Sequence, residues 1–217
     1  SRQENTGNAK GNEQAATKEP KFLKQDLVAY YPFNGNAKDE SGNGHHGEVN
    51  KAILAVDRHG NPDSAYETIM DGGNILLPNE PVFNLQKHTI CGWFRLRQTS
   101  THPMLISKQK PFEGVAFSLC GWHETKINDR AYALHSDKAK TELIAKNTIT
   151  SNLREWNFFA GTFDGKIMAV YVNGVLSDSI SDQFQIRHFG GRVTIGTRYR
   201  AEGDRHQASQ VDDVRIY

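Results

Sequence analysis

The chain is cut into short runs rich in Val, Ile, Phe, Tyr, Trp and Thr, each closed by Gly, Asn, Asp or Pro. The clearest are "DLVAYYPF", "NILLP", "HTICGWFRL", "PMLISK", "GVAFSLCGW", "RAYALHS", "WNFFAGTF", "KIMAVYVNG", "GRVTIGT" and "VDDVRIY". Such runs predict strands. "FDGK" at Phe163–Lys166 and "VNGV" at Val172–Val175 place Asp-Gly and Asn-Gly between two runs, the strongest short-range signal for a hairpin. No long segment repeats apolar residues at helical spacing. Short helical turns are predicted only in "NPDSAYE" and "SDQFQIR". Many short strands without crossover helices predict an all-β chain, a two-sheet antiparallel β-sandwich of the jelly-roll kind.

Two of the runs are apolar on both parities. In "WNFFAGTF", Trp156, Phe158 and Ala160 alternate with Phe159 and Phe163. In "KIMAVYV", Ile167, Ala169 and Tyr171 alternate with Met168, Val170 and Val172. A sheet with one wet face alternates apolar with polar. These strands are therefore covered on both sides, or one face lines a groove that carries aromatics. Trp93 and Trp156, inside dense apolar runs, are predicted core residues.

The texture changes near residue 25. Residues 1–21 hold no apolar side chain larger than Ala, which predicts a flexible polar tail or linker over 1–24 and one domain over 25–217. The net charge of +1 favours neither nucleic acid nor an anionic membrane surface. No stretch approaches the ~20 continuous apolar residues of a membrane span. Cys91 and Cys120, the two cysteines, lie in apolar runs and read as buried thiols, with a disulfide as the alternative. Without a Cys-x-x-Cys pair there is no thiolate zinc site.

Taken in order, "LVAYYPFNGNAKDESGNGHHGEV", "AYETIMDGGNILLP", "HTICGWFRL", "WNFFAGTFDGKIMAVYVNG", "VTIGT" and "VDDVRIY" resemble the laminin G-like, concanavalin A-like jelly-roll modules of secreted proteins. The likeness runs from about Leu27 to Tyr217. It implies two stacked sheets, ligand sites in a concave face or on the loop rim, first and last strands side by side, and a secreted or cell-envelope location. "RHQASQVDD" departs from the family's usual approach to the last strand, which leaves the rim around Arg205–Gln210 without a family expectation.

The polar loop "NAKDESGNGHHG" after the first strand supplies oxygens, and Asp212 in the last strand shares a face with Val214 and Ile216. A buried carboxylate needs a partner. Since family members often carry a structural calcium here, a tentative cofactor set follows: calcium held by Asp39 and Asp212, with Asn36, Ser41 or Asn43 completing it. The alternative is that Asp39, Ser41 and Asn43 form Asx-turns and cap one another, while Asp212 pairs with a nearby cation. His45 and His46 are adjacent, point apart on an extended chain, and read as solvated or hydrogen-bonded rather than metal ligands.

The glucanases of this fold carry Glu-x-Asp-x-x-Glu on one strand, with carboxylates roughly 5–5.5 Å apart in retaining enzymes. That motif is missing here, as are the serine-elbow, zinc-protease and phosphate-loop motifs. The expectation is a non-catalytic binding module whose leading partner is a carbohydrate or glycoconjugate. Sugar readers combine aromatic faces with planar polar groups. Residues of those types in loop-like or strand-end settings are Trp122, His123, Tyr132, Tyr199, Arg200 and His206. For Trp122 a core edge is the alternative, and for Arg200 a solvated rim charge. A protein-binding adhesion or scaffold module, a spacer, and a hydrolase or lyase on the same fold are the other readings.

Overall fold

In the computed structural model, residues 19–68, 73–97, 104–110, 114–119, 130–135, 142–146, 152, 154–188, 190–196 and 209–217 are described. Their strands, in chain order, begin with β1 (Ala29–Tyr31), β2 (Glu48–Asn50), β3 (Ile53–Ala55), β4 (Ala65–Thr68) and β5 (Asn74–Leu76). Next come β6 (His88–Leu96), β7 (Ile106–Lys110), β8 (Gly114–Leu119), β9 (Arg130–His135) and β10 (Glu142–Lys146). The series ends with β11 (Asn157–Phe163), β12 (Ile167–Val172), β13 (Val175–Ser181), β14 (Arg192–Ile195) and β15 (Ser209–Ile216).

The strands form two antiparallel sheets. The larger runs β13-β12-β11-β6-β15-β4-β3, with β1 also on β15, and the smaller runs β10-β9-β8-β7-β14-β5-β2. This is the predicted jelly-roll sandwich. Both predicted hairpins are present, with Gly165 at φ 99° between β11 and β12, and Asn173 and Gly174 at φ 51° and 79° between β12 and β13. The predicted helical turns are not. "NPDSAYE" becomes a turn leading into β4, because Ala65 and Tyr66 are core residues that pair with β3 and β15. Among the described residues the only helical turns are 3₁₀, at Lys21–Lys24 and Pro81–Phe83.

The last strand organises the larger sheet. One edge of β15 pairs with β6 throughout, while the other takes β4 at Ser209–Val211 and then β1 at Val214–Ile216. The change of partner falls at a bulge between Asp212 and Arg215, where Asp213 has φ 52°. A bulge lets one strand bend and serve two neighbours in succession. First and last strands thus lie side by side, as the family resemblance implied.

The core fills the space between the sheets with Tyr31, Ile75, Phe94, Phe117, Phe159 and Val193, all fully buried. Full burial of a side chain of that size contributes about 1.5–3 kcal/mol. Tyr132 of β9 belongs to this layer. Its ring lies over Gly161 of β11, where an added Cβ would sit 3.0 Å from the ring carbons, so any larger residue would push the ring aside by a few tenths of an ångström. Its hydroxyl bonds His88 Nε2 across the core. Burial pushes the His88 imidazole down to about 4 and keeps it neutral. Lys108 of β7 also points between the sheets at 2% exposure, and burial pushes its amine down to about 8.

Candidate functional site: a trough on the outer face of the larger sheet

Along β11 burial alternates strictly. Asn157, Phe159, Gly161 and Phe163 face the core, while Phe158, Ala160 and Thr162 face outward and are half-buried. Register carries the outward set across the sheet. β6 sets Trp93 beside Phe158, Cys91 beside Ala160 and Thr89 beside Thr162. β12 continues with Tyr171 beside Ala160 and Ala169 beside Thr162, and β13 adds Leu176 beside Tyr171. On the other side β15 places Arg215 next to Cys91 and Asp212 next to Trp93.

The centre of this face therefore consists of Cys91, Ala160, Thr89, Thr162 and Ala169, with larger side chains around them. Small residues between large ones leave a depression, and here it is an open trough of about 580 Å³. Cys91 and Ala160 form its floor, Phe158 one end, and Arg215 and Tyr217 one side. Cys91 is a free, buried thiol that burial pushes up to about 12, so it acts as a small apolar surface and not as a nucleophile. The alternative of a Cys91–Cys120 disulfide is thereby corrected, and Cys120 itself lies outside the described residues.

The facing wall comes from the N-terminal segment. Residues 21–24, predicted as part of the polar tail, form a 3₁₀ turn lying along the trough. Glu19 Oε1 meets Arg215 Nη2 at 2.6 Å, and the Tyr217 hydroxyl donates to the Leu23 carbonyl at 3.0 Å. Phe22 and Leu23 line the trough, Phe22 with 70% of its surface exposed. Gln25 and Asp26 extend the same wall, and neither side chain has a polar partner among the described residues.

Guanidinium groups edge the face, and each is already engaged. Arg215 lies over the Tyr30 ring at 4.1 Å and contacts Asp213 at 3.3 Å as well as Glu19. Burial opposes its charge, but Asp213 and Glu19 outweigh it and hold the group above its ordinary range. Arg58 covers Trp93 at 5.2 Å, bonds the Asp212 carboxylate, and reaches Asp213 at 3.0 Å. Arg95 stacks on Trp156 at 5.0 Å and donates to Gln210 Oε1 at 2.9 Å. Trp93 and Trp156, predicted as core, are thus half-buried outer-face residues beneath arginines. Both parities of β11 are apolar because one faces the core and the other, through Phe158 and Ala160, lines the trough, the second of the two readings the sequence left open.

The predicted site residues distribute as follows. Tyr132 is no sugar platform: in β9 it alternates inward with Leu134 and is fully buried, and this corrects the expectation. Trp122, His123, Tyr199, Arg200 and His206 lie outside the described residues. In the polar loop, Asp39 is 6% exposed and accepts backbone N–H groups on both oxygens, from Tyr30 and Ser41 on Oδ1 and from His45 on Oδ2, each at 2.9 Å. Burial works against its charge, yet these donors hold the carboxyl below the usual carboxylate range. Asn36 Oδ1 accepts from the Lys38 amide at 2.8 Å, and Ser41 Oγ from that of Asn43 at 3.2 Å. Among the described residues no three His, Cys, Asp or Glu side chains gather in a way that could hold a metal.

Asp212 does not join this loop. Its charged neighbours are Arg58, Asp213 and Asp57, and burial, the largest influence, pushes its carboxyl up to about 6 against the pull of Arg58. With Asp39, Asn36 and Ser41 turned onto amides and Asp212 turned onto an arginine, the donor set as folded does not fit a calcium ion. The Asx-turn alternative describes the loop instead. His45 pairs with Glu80 at 2.7 Å, and His46 Nδ1 accepts the Asp39 amide at 3.1 Å, so both are hydrogen-bonded as expected.

Sequence reasoning missed Phe22 and the open groups of Gln25 and Asp26. "KFLK" does carry a pair of apolar residues at the end of a polar tail, but nothing local tells which surface they meet.

Two stacked antiparallel sheets of this topology place the chain in the jelly-roll class of modules. Residues 70–217 match the family profile described as the Concanavalin A-like lectin/glucanases superfamily, of the Laminin G type, and the chain belongs to it. Domain 4 of AbnA, an extracellular GH43 arabinanase from Geobacillus stearothermophilus solved with arabinotriose, shares the fold at 20% identity and a TM-score of 0.67, covering 88% of this chain and 91% of that one. The binding domain of Paraclostridial Mosquitocidal Protein 1 superposes with a TM-score of 0.67 at 18% identity, covering 90% of this chain. A botulinum neurotoxin type C structure, described as entering cells through two ganglioside molecules, does so with a TM-score of 0.63 at 15% identity. This chain spans about half of each of those two toxin chains, 49%. No curated protein matches it.

Proposed function

We propose that the protein is a non-catalytic carbohydrate-binding module and that the trough on the outer face of the larger sheet is its ligand site. The observation that carries this reading is the juxtaposition of half-exposed Phe158 and exposed Phe22 with Gln25 and Asp26, neither engaged among the described residues, around a floor of small side chains. A pyranose or furanose ring offers a C–H face that packs on an aromatic ring and a hydroxyl edge that needs planar polar partners, and the trough supplies both. Its open ends suit a chain of sugars better than a single buried one.

The comparisons support the class of ligand at the level of the fold. One similar structure, from an extracellular arabinanase, holds arabinotriose, and another comes from a toxin whose cell entry is described as dependent on two ganglioside molecules. An extracellular or cell-envelope setting is part of the reading. Among the described residues no helix is long and apolar enough to cross a membrane.

The test is a glycan array probed with the folded chain, followed by calorimetry on the best hit with wild type and Phe158→Ala. Binding by wild type that falls at least tenfold in the variant supports the site. Equal binding by both moves the ligand to another surface. Leu176 and Val175, 51% and 59% exposed beside Tyr171, favour a second reading in which a protein docks on this face. Free oligosaccharide would then leave that partner in place.

A further inference from the structure

We infer that the ligand of the trough is a neutral glycan, taken between the ring of Phe158 on the sheet and the ring of Phe22 on the N-terminal segment, with hydroxyls donated to Asp26 and Asp213. The inference rests on the carbohydrate reading above and narrows it to one ligand class.

Charge is the first argument. Every guanidinium on this part of the face is matched by carboxylates of the chain itself. Arg215 carries Glu19 at 2.6 Å and Asp213 at 3.3 Å, and Arg58 carries Asp212 and Asp213. The trough is lined by one cation, Arg215, against two carboxylates, Asp213 and Asp26. A ligand carboxylate or sulfate entering here meets no free cation among the described residues and two like charges. Like charges brought together in a partly desolvated site repel and disfavour the complex. A neutral sugar meets the opposite situation, because hydroxyl protons are what carboxylates accept.

The second argument concerns Phe22. A ring 70% exposed on a short 3₁₀ turn with no buried residue contributes little to holding its own segment in place. The segment is fastened by polar contacts at its edges, from Glu19 to Arg215 and from Tyr217 to Leu23, and not by Phe22. What Phe22 does touch is the trough, which it shares with Phe158. Two aromatic side chains lining one sugar-sized groove, one on a rigid sheet and one on a lightly anchored turn, make a clamp whose second jaw adjusts to the ligand. Lys21 and Lys24 flank Phe22 in sequence but do not line the trough, so they leave its charge balance unchanged.

The experiment uses an array carrying both neutral and acidic glycans. It then takes a matched pair that keeps the sugar backbone and changes the charge: an oligogalacturonate and its methyl ester. The full chain and the Phe22→Ala and Phe158→Ala variants are titrated with each hit, and folding is checked by Tm. The neutral member should bind at least tenfold tighter than its charged partner. Phe22→Ala should weaken it at least fivefold without moving Tm. Equal or tighter binding of the acidic member overturns the inference and leaves the carbohydrate reading standing. Loss in Phe158→Ala with none in Phe22→Ala removes the clamp. Silence across the array from folded protein overturns both.

Discussion

The loop from Asn34 to Gly47 and the trough on the larger sheet are both rich in polar side chains, yet they differ in what those side chains still have to give. In the loop every group considered for a ligand faces inward on its own backbone: three amides on Asp39, one on Asn36, one on Ser41. In the trough Asp26 and Gln25 sit beside exposed rings with no partner among the described residues. A cluster of carboxylates, asparagines and histidines is therefore a poor guide to binding until its hydrogen-bonding capacity has been followed atom by atom. Four consequences test that distinction, from the largest effect to the smallest.

Asp39→Ala strikes the closed region. It strands three amides around a buried position, and hydrogen bonds to charged groups contribute roughly 1.5–3 kcal/mol each when lost in this way. We expect a loss of at least about 3 kcal/mol, identical in millimolar calcium and in chelator, with sugar binding retained. A larger loss in calcium would restore the metal. The pH dependence has a defined sign. The folded pKa lies below the unfolded value, so Asp39 contributes its stability above about pH 4 and loses it as pH falls further. Asp39→Asn should flatten that acid limb.

Phe158→Ala strikes the open region and should do the reverse. Central aromatic anchors at binding surfaces are worth about 2 kcal/mol or more when truncated. That corresponds to a roughly 30-fold loss of affinity, with Tm lowered only slightly because the ring is half-buried. A variant that unfolds while still binding as well as wild type would reverse the assignment of the two regions.

Much of this was legible in the sequence, and the part that was not has a physical reason. Strand identity followed from β-branched and aromatic runs ended by turn residues, and the hairpin at Asn173–Gly174 from its need for positive φ. The double parity of "WNFFAGTF" announced a populated outer face. Local sequence does not, however, say which parity faces the core. Trp93 and Trp156 read as core because they are large and apolar, but both face outward, with Arg58 over Trp93 and Arg95, held by Gln210, over Trp156. Tyr132 erred in the opposite direction, since its polar neighbours hid a position directly above Gly161. The Asp39 bonds and the Arg58–Asp212 pair, 154 residues apart in sequence, are tertiary facts that no spacing rule contains.

Lys108 is a third kind of polar residue, buried with no carboxylate paired to it among the described residues. Its folded pKa of about 8 lies below the unfolded value, so the folded state holds its proton less well and stability rises as pH climbs from about 8 towards 10.5. Lys108→Met keeps the buried stem and removes the charge. It should raise stability by about 1 kcal/mol at pH 7, since an unpaired buried polar group costs on that order. The gain should shrink by pH 10. A loss at pH 7 would mean that the amine has a partner worth keeping.

Asp212 stands between the two regions and carries the smallest expected effect. It is paired to Arg58 like an engaged group, yet burial pushes its carboxyl up to about 6, so the fold prefers it protonated. A folded pKa above the unfolded one gives a contribution present below about pH 4 and lost as pH rises through 6. Asp212→Asn keeps an acceptor for Arg58 and removes the titration. The stability of wild type relative to this variant should therefore fall by about 1 kcal/mol between pH 4 and 7, the shift being discounted for partial solvent access. A difference that instead grows with pH means that Arg58 outweighs burial. Asp212 would then be as fully engaged as Asp39, and the boundary of the open surface would move inward, from Trp93 to the row of Cys91 and Ala160.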